Sequence, residues 1–199
     1  MSTSLILASG SETRQALLRQ AGIAHEAKAA RVDEDAVKQS LLADGASPRD
    51  VADALAELKA RKISDKHPDA MVIGCDQVLD FNGSILSKPT SKNDARDQLT
   101  AMQGKSHDLL SAVVVCEGFL PVWREVAKVT LVMRPLSGDY IQAYVDRNWD
   151  SIQHSVGGYK LEEEGVRLFT HIKGDYFTVL GLPMLSLISY LTTRGVLTQ

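Results

Sequence analysis

The 199-residue sequence predicts an α/β fold in which a mixed, twisted β-sheet is flanked by helices. Three observations carry that expectation. Apolar runs rich in β-branched residues recur along the chain, segments with helical periodicity separate them, and the two kinds alternate irregularly. A strict βαβ array with an all-parallel sheet does not fit that order. No fixed-period repeat, low-complexity tract or Pro/Ser-rich linker divides the chain, so residues 1–199 read as a single domain.

Residues 5–8 are a short apolar run that meets Ser9-Gly10-Ser11 at once, and Ala16, Leu17, Leu18 and Ala21 then recur at helical spacing up to Gly22. Strand, tight loop and helix follow from that pattern. Ser47 as cap, Pro48 at the first helical position and Asp50 three residues after the cap open a second helix. Its inner stripe reads as Val51, Leu55 and Leu58, and it ends in the basic stretch 59–62. Residues 71–75 are a buried strand running into Asp76, and Asn82-Gly83 is a hairpin turn ahead of Ile85 and Leu86. Ser91 and Asp94 repeat the cap pattern before a helix through Leu99 and Met102 that stops at Gly104. Residues 109–116 and 122–133 are two long strands joined by a turn around Gly118 and Pro121. Ser137 caps a helix carrying Ile141, Tyr144 and Val145; residues 166–172 and 176–180 are strand-like; Pro183 starts the last helix.

Bulk properties narrow the class of function. Hydrophobic residues at 44% can fill a real core, and a net charge of −3 offers no general attraction to a nucleic-acid backbone. A small phosphate ligand met locally suits such a chain better than a polymer. Cys75 and Cys116 sit in apolar runs without metal-ligand or CxxC spacing, which reads as reduced core thiols in a cytoplasmic protein. Neither a signal-peptide pattern nor an apolar run near the ~20 residues of a membrane helix is expected to take the chain to a membrane.

Several segments are candidates for chemistry. The Ser9-Gly10-Ser11 loop sets small hydroxyl residues at a helix N-terminus, where unpaired N–H groups attract anions, and Arg14 follows within the first turn. The same residues also suit a plain helix cap and a solvated arginine. Asp33-Glu34-Asp35 offers three carboxylates that suit Mg²⁺ or, equally, a solvated turn. Asp76 ends an apolar strand, where an acid is costly unless it is paired, coordinated or functional. Lys88 follows the same hairpin. With a two-residue turn at Asn82-Gly83, strict pairing sets Lys88 opposite Gln77 and Pro89 opposite Asp76, so Asp76 and Lys88 would face opposite ways. A shared site therefore requires a bulge or the end of the ladder between them. Residues 157–162 combine a flexible Gly pair, the Tyr159 ring and both signs of charge, a segment that suits either a nucleobase grip or an ordinary loop.

Taken together these segments resemble the Maf family of house-cleaning nucleotide pyrophosphatases. The resemblance runs through 7–11 with Arg14 and Leu17-Leu18, Asp33-Glu34, Leu55-Ala56 with Lys59-Ala60, Gly74-Cys75-Asp76-Gln77-Val78, Lys88-Pro89, Gly104 with His107, Gly174-Asp175-Tyr176 and Gly181-Leu182-Pro183. It implies a two-lobed single domain like that of the inosine triphosphatases. It also implies hydrolysis of a nucleoside triphosphate between its α- and β-phosphates with a divalent cation, Mg²⁺ or Mn²⁺. By the same resemblance Asp76 is the proton acceptor, Ser9, Arg14, Lys59 and Lys88 meet the phosphates, and Glu34, with Asp33 and Asp76, holds the metal. A homodimer is common among the proteins it resembles.

Gln77 stands where Thr is the common form, and Glu162 where the base-recognition loop usually has Gln, which resembles the branch that prefers 7-methyl-GTP. A carboxylate accepts two hydrogen bonds from the N1–H and exocyclic amine of guanine, whereas an amide suits a uracil or thymine edge. Glu12 replaces a Pro and Gln15 stands where a second Arg is frequent, which keeps open a non-catalytic nucleotide-binding regulator of cell division. A preference for UTP or TTP is the other alternative. The motifs of the inosine/xanthosine triphosphate enzymes are absent.

Overall fold

A computed structural model describes residues 4–198 of the protein. Its sheet is seven-stranded and mixed, with β1 (Leu5–Leu7) parallel to both β2 (Glu26–Ala27) and β3 (Met71–Phe81). β4 (Ser84–Leu86), β5 (Ser106–Glu117), β6 (Leu120–Met133) and β7 (Phe169–Lys173) continue it in antiparallel ladders, in the order β2-β1-β3-β5-β6-β7 with β4 beside β3. Between these strands run α1 (Glu12–Gln20), α2 (Glu34–Ala43), α3 (Pro48–Ser64), α4 (Lys92–Met102), α5 (Gly138–Ile152), α6 (Tyr176–Val179) and α7 (Met184–Thr193).

Strand alternation splits the core between two faces. Ile6, Val72, Ala112 and Val114 pack with Val51, Leu55 and Ala56 of α3. Leu5, Leu7, Ile73 and Val113 turn the other way, against Leu17 and Leu18 of α1 and Leu187 and Leu191 of α7. Farther along the sheet, Leu79, Val129 and Leu131 pack with Leu99 of α4 and Tyr144 of α5.

The capping signals appear where expected. Ser47 and Asp50 form a reciprocal capping box at α3, and Ser11, Ser91 and Ser137 each accept a hydrogen bond from a first-turn N–H. Asn82 and Gly83 both take positive φ, as a two-residue hairpin of right-handed strands requires.

Some expectations are corrected. The inner stripe of α3 runs through Val51, Leu55 and Lys59, and Leu58 lies at the surface, 36% exposed. The buried face of α3 is centred on Ala52, Ala56, Lys59 and Ile63, which leaves Leu58 outside it, and Lys59 tolerates burial because two carboxylates meet it there. Residues 176–180 are not a strand. Asp175 accepts a hydrogen bond from the Thr178 N–H and caps α6, so aromatic and β-branched content imitated a strand that a local side-chain bond overrides. Residues 166–168 belong to a 3₁₀ turn, with strand only from Phe169. The turn after β5 is Gly118-Phe119, and Pro121 lies inside β6 opposite Cys116, where the ladder shifts register. β2 and α2 are not among the expected elements: β2 has two residues, and α2 buries none fully, packing Val37 and Leu41 only in part against the core.

Gly74 fixes how closely α3 lies on β3. A Cβ there would press on the Ala56 carbonyl oxygen and stand 2.6 Å from the Ala60 nitrogen, both backbone atoms that cannot rotate away. Replacing Gly74 by Ala is expected to cost on the order of 3 kcal/mol in chemical denaturation, because α3 must move away from β3.

Candidate active site

The sheet has a gap. β1 pairs with β3 only over 71–73 and β4 only over 79–81, so residues 74–78 have no strand partner on that side. A cleft of about 1200 Å³ opens there, at the C-terminal end of β1, bordered by the Ser9–Arg14 loop, Glu34, Lys59, Asp76, Gln77, Lys88 and Glu162. A crevice outside the carboxyl end of a parallel strand is where open α/β sheets bind ligands.

The first loop is both a cap and a wall. Ser11 Oγ accepts from the Arg14 N–H, and Ser9 Oγ accepts from the Ser11 N–H at 3.2 Å. The Arg14 guanidinium folds back across the gap, donating from Nε to Gly181 O at 2.8 Å and from Nη1 to Cys75 O at 3.3 Å and Ser9 Oγ at 3.4 Å. Its Nη2 has no acceptor among the described residues. Gly181, at φ 89°, leaves the space this requires: a Cβ there would stand 3.1 Å from Nη2.

Lys59 joins the two acids. Its Nζ lies 2.6 Å from Asp76 Oδ1 and 2.8 Å from Glu34 Oε1, with Lys59 and Asp76 only 7% and 6% exposed. Burial pushes the Asp76 carboxyl above the ordinary aspartate range, opposed by the charges of Lys59 and Arg14. Burial also pushes on Glu34, but there the hydrogen bond and charge of Lys59, with Lys88 and Lys38, prevail and hold it below the usual glutamate value. One acid is thus tuned toward accepting a proton and its neighbour toward staying ionised.

Lys88 borders the same cleft because the ladder ends first. The last β3–β4 pair is Leu79 with Leu86, so the chain at Lys88 is released from the register that would turn it away. The three-acid run divides its roles: Asp33 Oδ1 caps α2 by accepting from the Ala36 N–H, Glu34 reaches Lys59, and Asp35 pairs with Lys38 at 3.0 Å. No group of three or more His, Cys, Asp or Glu side chains suited to a metal ion occurs among the described residues.

Three consecutive glutamates follow Leu161, and two are engaged. Glu163 accepts from Ser151 and pairs with Lys160; Glu164 is held by Arg147, Asn148 and Arg167. Glu162 is exposed at the cleft with no partner among the described residues. The Tyr159 ring beside it is buried, its hydroxyl 2.7 Å from His107 Nε2. Glu12 borders the cleft as well, with its side chain 83% exposed and 3.8 Å from Arg19. Lys38, not among the residues expected at the site, lines the cleft one turn after Glu34, and its i, i+4 spacing from that acid is the sequence signal for it.

Residues 4–194 match the family model described as Maf-like protein. The chain belongs to the Maf family. That span holds every cleft residue named above. The chain is 62% identical, over the full length of both chains, to a protein of Ruegeria sp. (strain TM1040) named nucleoside triphosphate pyrophosphatase. A protein of the same name from Caulobacter vibrioides is 48% identical over 98% of each chain. The 7-methyl-GTP pyrophosphatase of Rhizobium meliloti (strain 1021) is 46% identical over 97% of each. This Maf chain therefore resembles, from end to end, proteins named for one reaction class.

Proposed function

We propose that this Maf protein is a nucleoside triphosphate pyrophosphatase that hydrolyses its substrate between the α- and β-phosphates, with a preference for 7-methyl-GTP. The observation that carries the reading is the buried Asp76–Lys59 pair, joined by the half-buried Glu34, on the wall of a cleft that Lys88 and Arg14 also border. Asp76 orients the attacking water and takes its proton, and its raised pKa makes it the better base. Lys59 holds that carboxylate in place. Arg14 Nη2, Lys88 and the Ser9 loop meet the phosphates and offset charge that builds on the departing pyrophosphate.

The donor set suits a hard divalent cation. Glu34 and Asp76 each give one oxygen to Lys59 and keep the other, Glu34 Oε2 and Asp76 Oδ2, without a partner among the described residues, and Mg²⁺ is commonly held by one or two carboxylates plus substrate phosphates rather than by a protein cage. Glu34 and Asp76 would hold it, with Asp33 from the α2 cap. Bound there with the triphosphate, it would supply Lewis-acid neutralisation of phosphate charge.

Glu162 sets the base preference. Its free carboxylate accepts from the N1–H and amine of guanine and favours the positive charge that N7-methylation adds. A cytoplasmic setting accords with Cys75 and Cys116, both free thiols that burial pushes up to about 11. No helix among the described residues is long and apolar enough to cross a membrane.

Purified protein with Mg²⁺ or Mn²⁺ and a panel of 7-methyl-GTP, GTP, ITP, UTP and TTP is expected to release pyrophosphate, most efficiently from 7-methyl-GTP. Turnover of none of these would overturn the reading, and a UTP or TTP optimum would overturn the assigned preference. Glu162→Gln should lower the ratio of kcat/KM for 7-methyl-GTP over UTP by about 10–100-fold, the worth of a hydrogen bond to a charged acceptor.

A further inference from the structure

Gln77 follows Asp76 directly, so strand alternation turns it to the other face of β3, away from Lys59. There its Nε2 stands 2.9 Å from Ser111 Oγ, 3.1 Å from Thr178 O and 2.9 Å from Val179 O. Carbonyl oxygens only accept hydrogen bonds, so the side of the amide facing two of them is the NH₂. Both of its hydrogens are therefore spent on protein. Oε1 is left as the amide's one polar atom without a partner among the described residues, on a side chain that borders the cleft.

The clamp is itself held. Ser111, fully buried on β5 opposite Gln77, accepts from Nε2 and donates its own hydrogen to Thr178 O at 2.7 Å. The carbonyls of Thr178 and Val179 come from the last turn of α6, and Thr178 O also accepts from the Gly181 N–H at 3.0 Å. Asp175 fixes that turn by accepting from both the N–H and the hydroxyl of Thr178.

We propose that Ser111 is a positioning residue for substrate selection: it locks the Gln77 amide so that only its oxygen faces the cleft, where it accepts a hydrogen bond from the nucleoside. Gln77 then acts as a fixed acceptor and cannot turn its NH₂ toward an acceptor-rich base edge. A free glutamine would present either end and would discriminate poorly. The donor it meets is a base N–H or a ribose hydroxyl. This inference rests on the pyrophosphatase reading above.

A double-mutant cycle tests it. Ser111→Ala, Gln77→Met and the double variant are assayed for pyrophosphate release from GTP, ITP and 2′-deoxy-GTP, with thermal melts run in parallel. Ser111→Ala is expected to raise KM for GTP about five- to tenfold with little change in kcat. In the Gln77→Met background it should change nothing further, because the group it positions is gone. Insensitivity of ITP alone to Ser111→Ala would identify the 2-amino group as the donor, and insensitivity of 2′-deoxy-GTP alone the ribose hydroxyl. An equal effect in both backgrounds, a fall confined to kcat, or no effect in either background overturns the proposal. Absence of pyrophosphate release by the wild-type protein removes the underlying reading instead, and the inference with it.

Discussion

Replacing Asp76 by Asn is expected to lower kcat about 10²–10⁴-fold, the usual contribution of a positioned general base, while leaving the fold intact. The amide oxygen can still accept from Lys59, and Glu34 remains 2.8 Å from the same ammonium, so no buried charge is left without a partner. Nucleotide binding should persist, read as an upward shift of the melting temperature with added ligand. The pH profile gives a second readout. The base must be ionised to act, so activity falls as pH drops through its folded pKa, and burial places that limb above the range of an exposed aspartate. The limb should vanish from the residual rate of the variant. Turnover within tenfold of wild type would show that another group takes the proton.

Lys59→Met should remove activity and stability together. Methionine keeps much of the buried stem but takes the cation from between two carboxylates, and breaking a buried pair by deleting one partner costs about 3–5 kcal/mol. The cost should depend on pH in a definite direction. Without Lys59, burial acts on Asp76 with only the Arg14 charge opposing it and raises its folded pKa above the unfolded value, so the folded state binds the extra proton. The variant is therefore least penalised at low pH and loses stability as pH rises through that folded pKa. Adding Asp76→Asn should return stability to within about 1 kcal/mol of the Asp76→Asn protein without restoring turnover. A Lys59→Met protein as stable as wild type at pH 8 would contradict the pairing. Denaturation at two pH values decides it.

Glu162→Gln and the Ser111/Gln77 cycle probe selectivity where these two changes probe chemistry. Gln77 and Asp76 are adjacent but face opposite sides of the same strand.

Local rules determined much of this protein from its sequence alone. The caps at Ser11, Ser47, Ser91 and Ser137, the Asn82-Gly83 turn and the strands on either side depend on residues within four positions of each other, so the pattern contains the cause. The need for the ladder to end before Lys88 was also legible, because strand parity is arithmetic. Candidate residues could be named, but not sorted. Which neighbour of Leu58 turns inward, which of three acids at 33–35 reaches Lys59, and which of three glutamates at 162–164 stays free were decided by partners distant in sequence. Asp76 lies 17 residues from Lys59, and Thr178 lies 101 from Gln77. A buried charge takes its place from the charge that meets it, and the chain brings those two together only when the sheet closes around its gap.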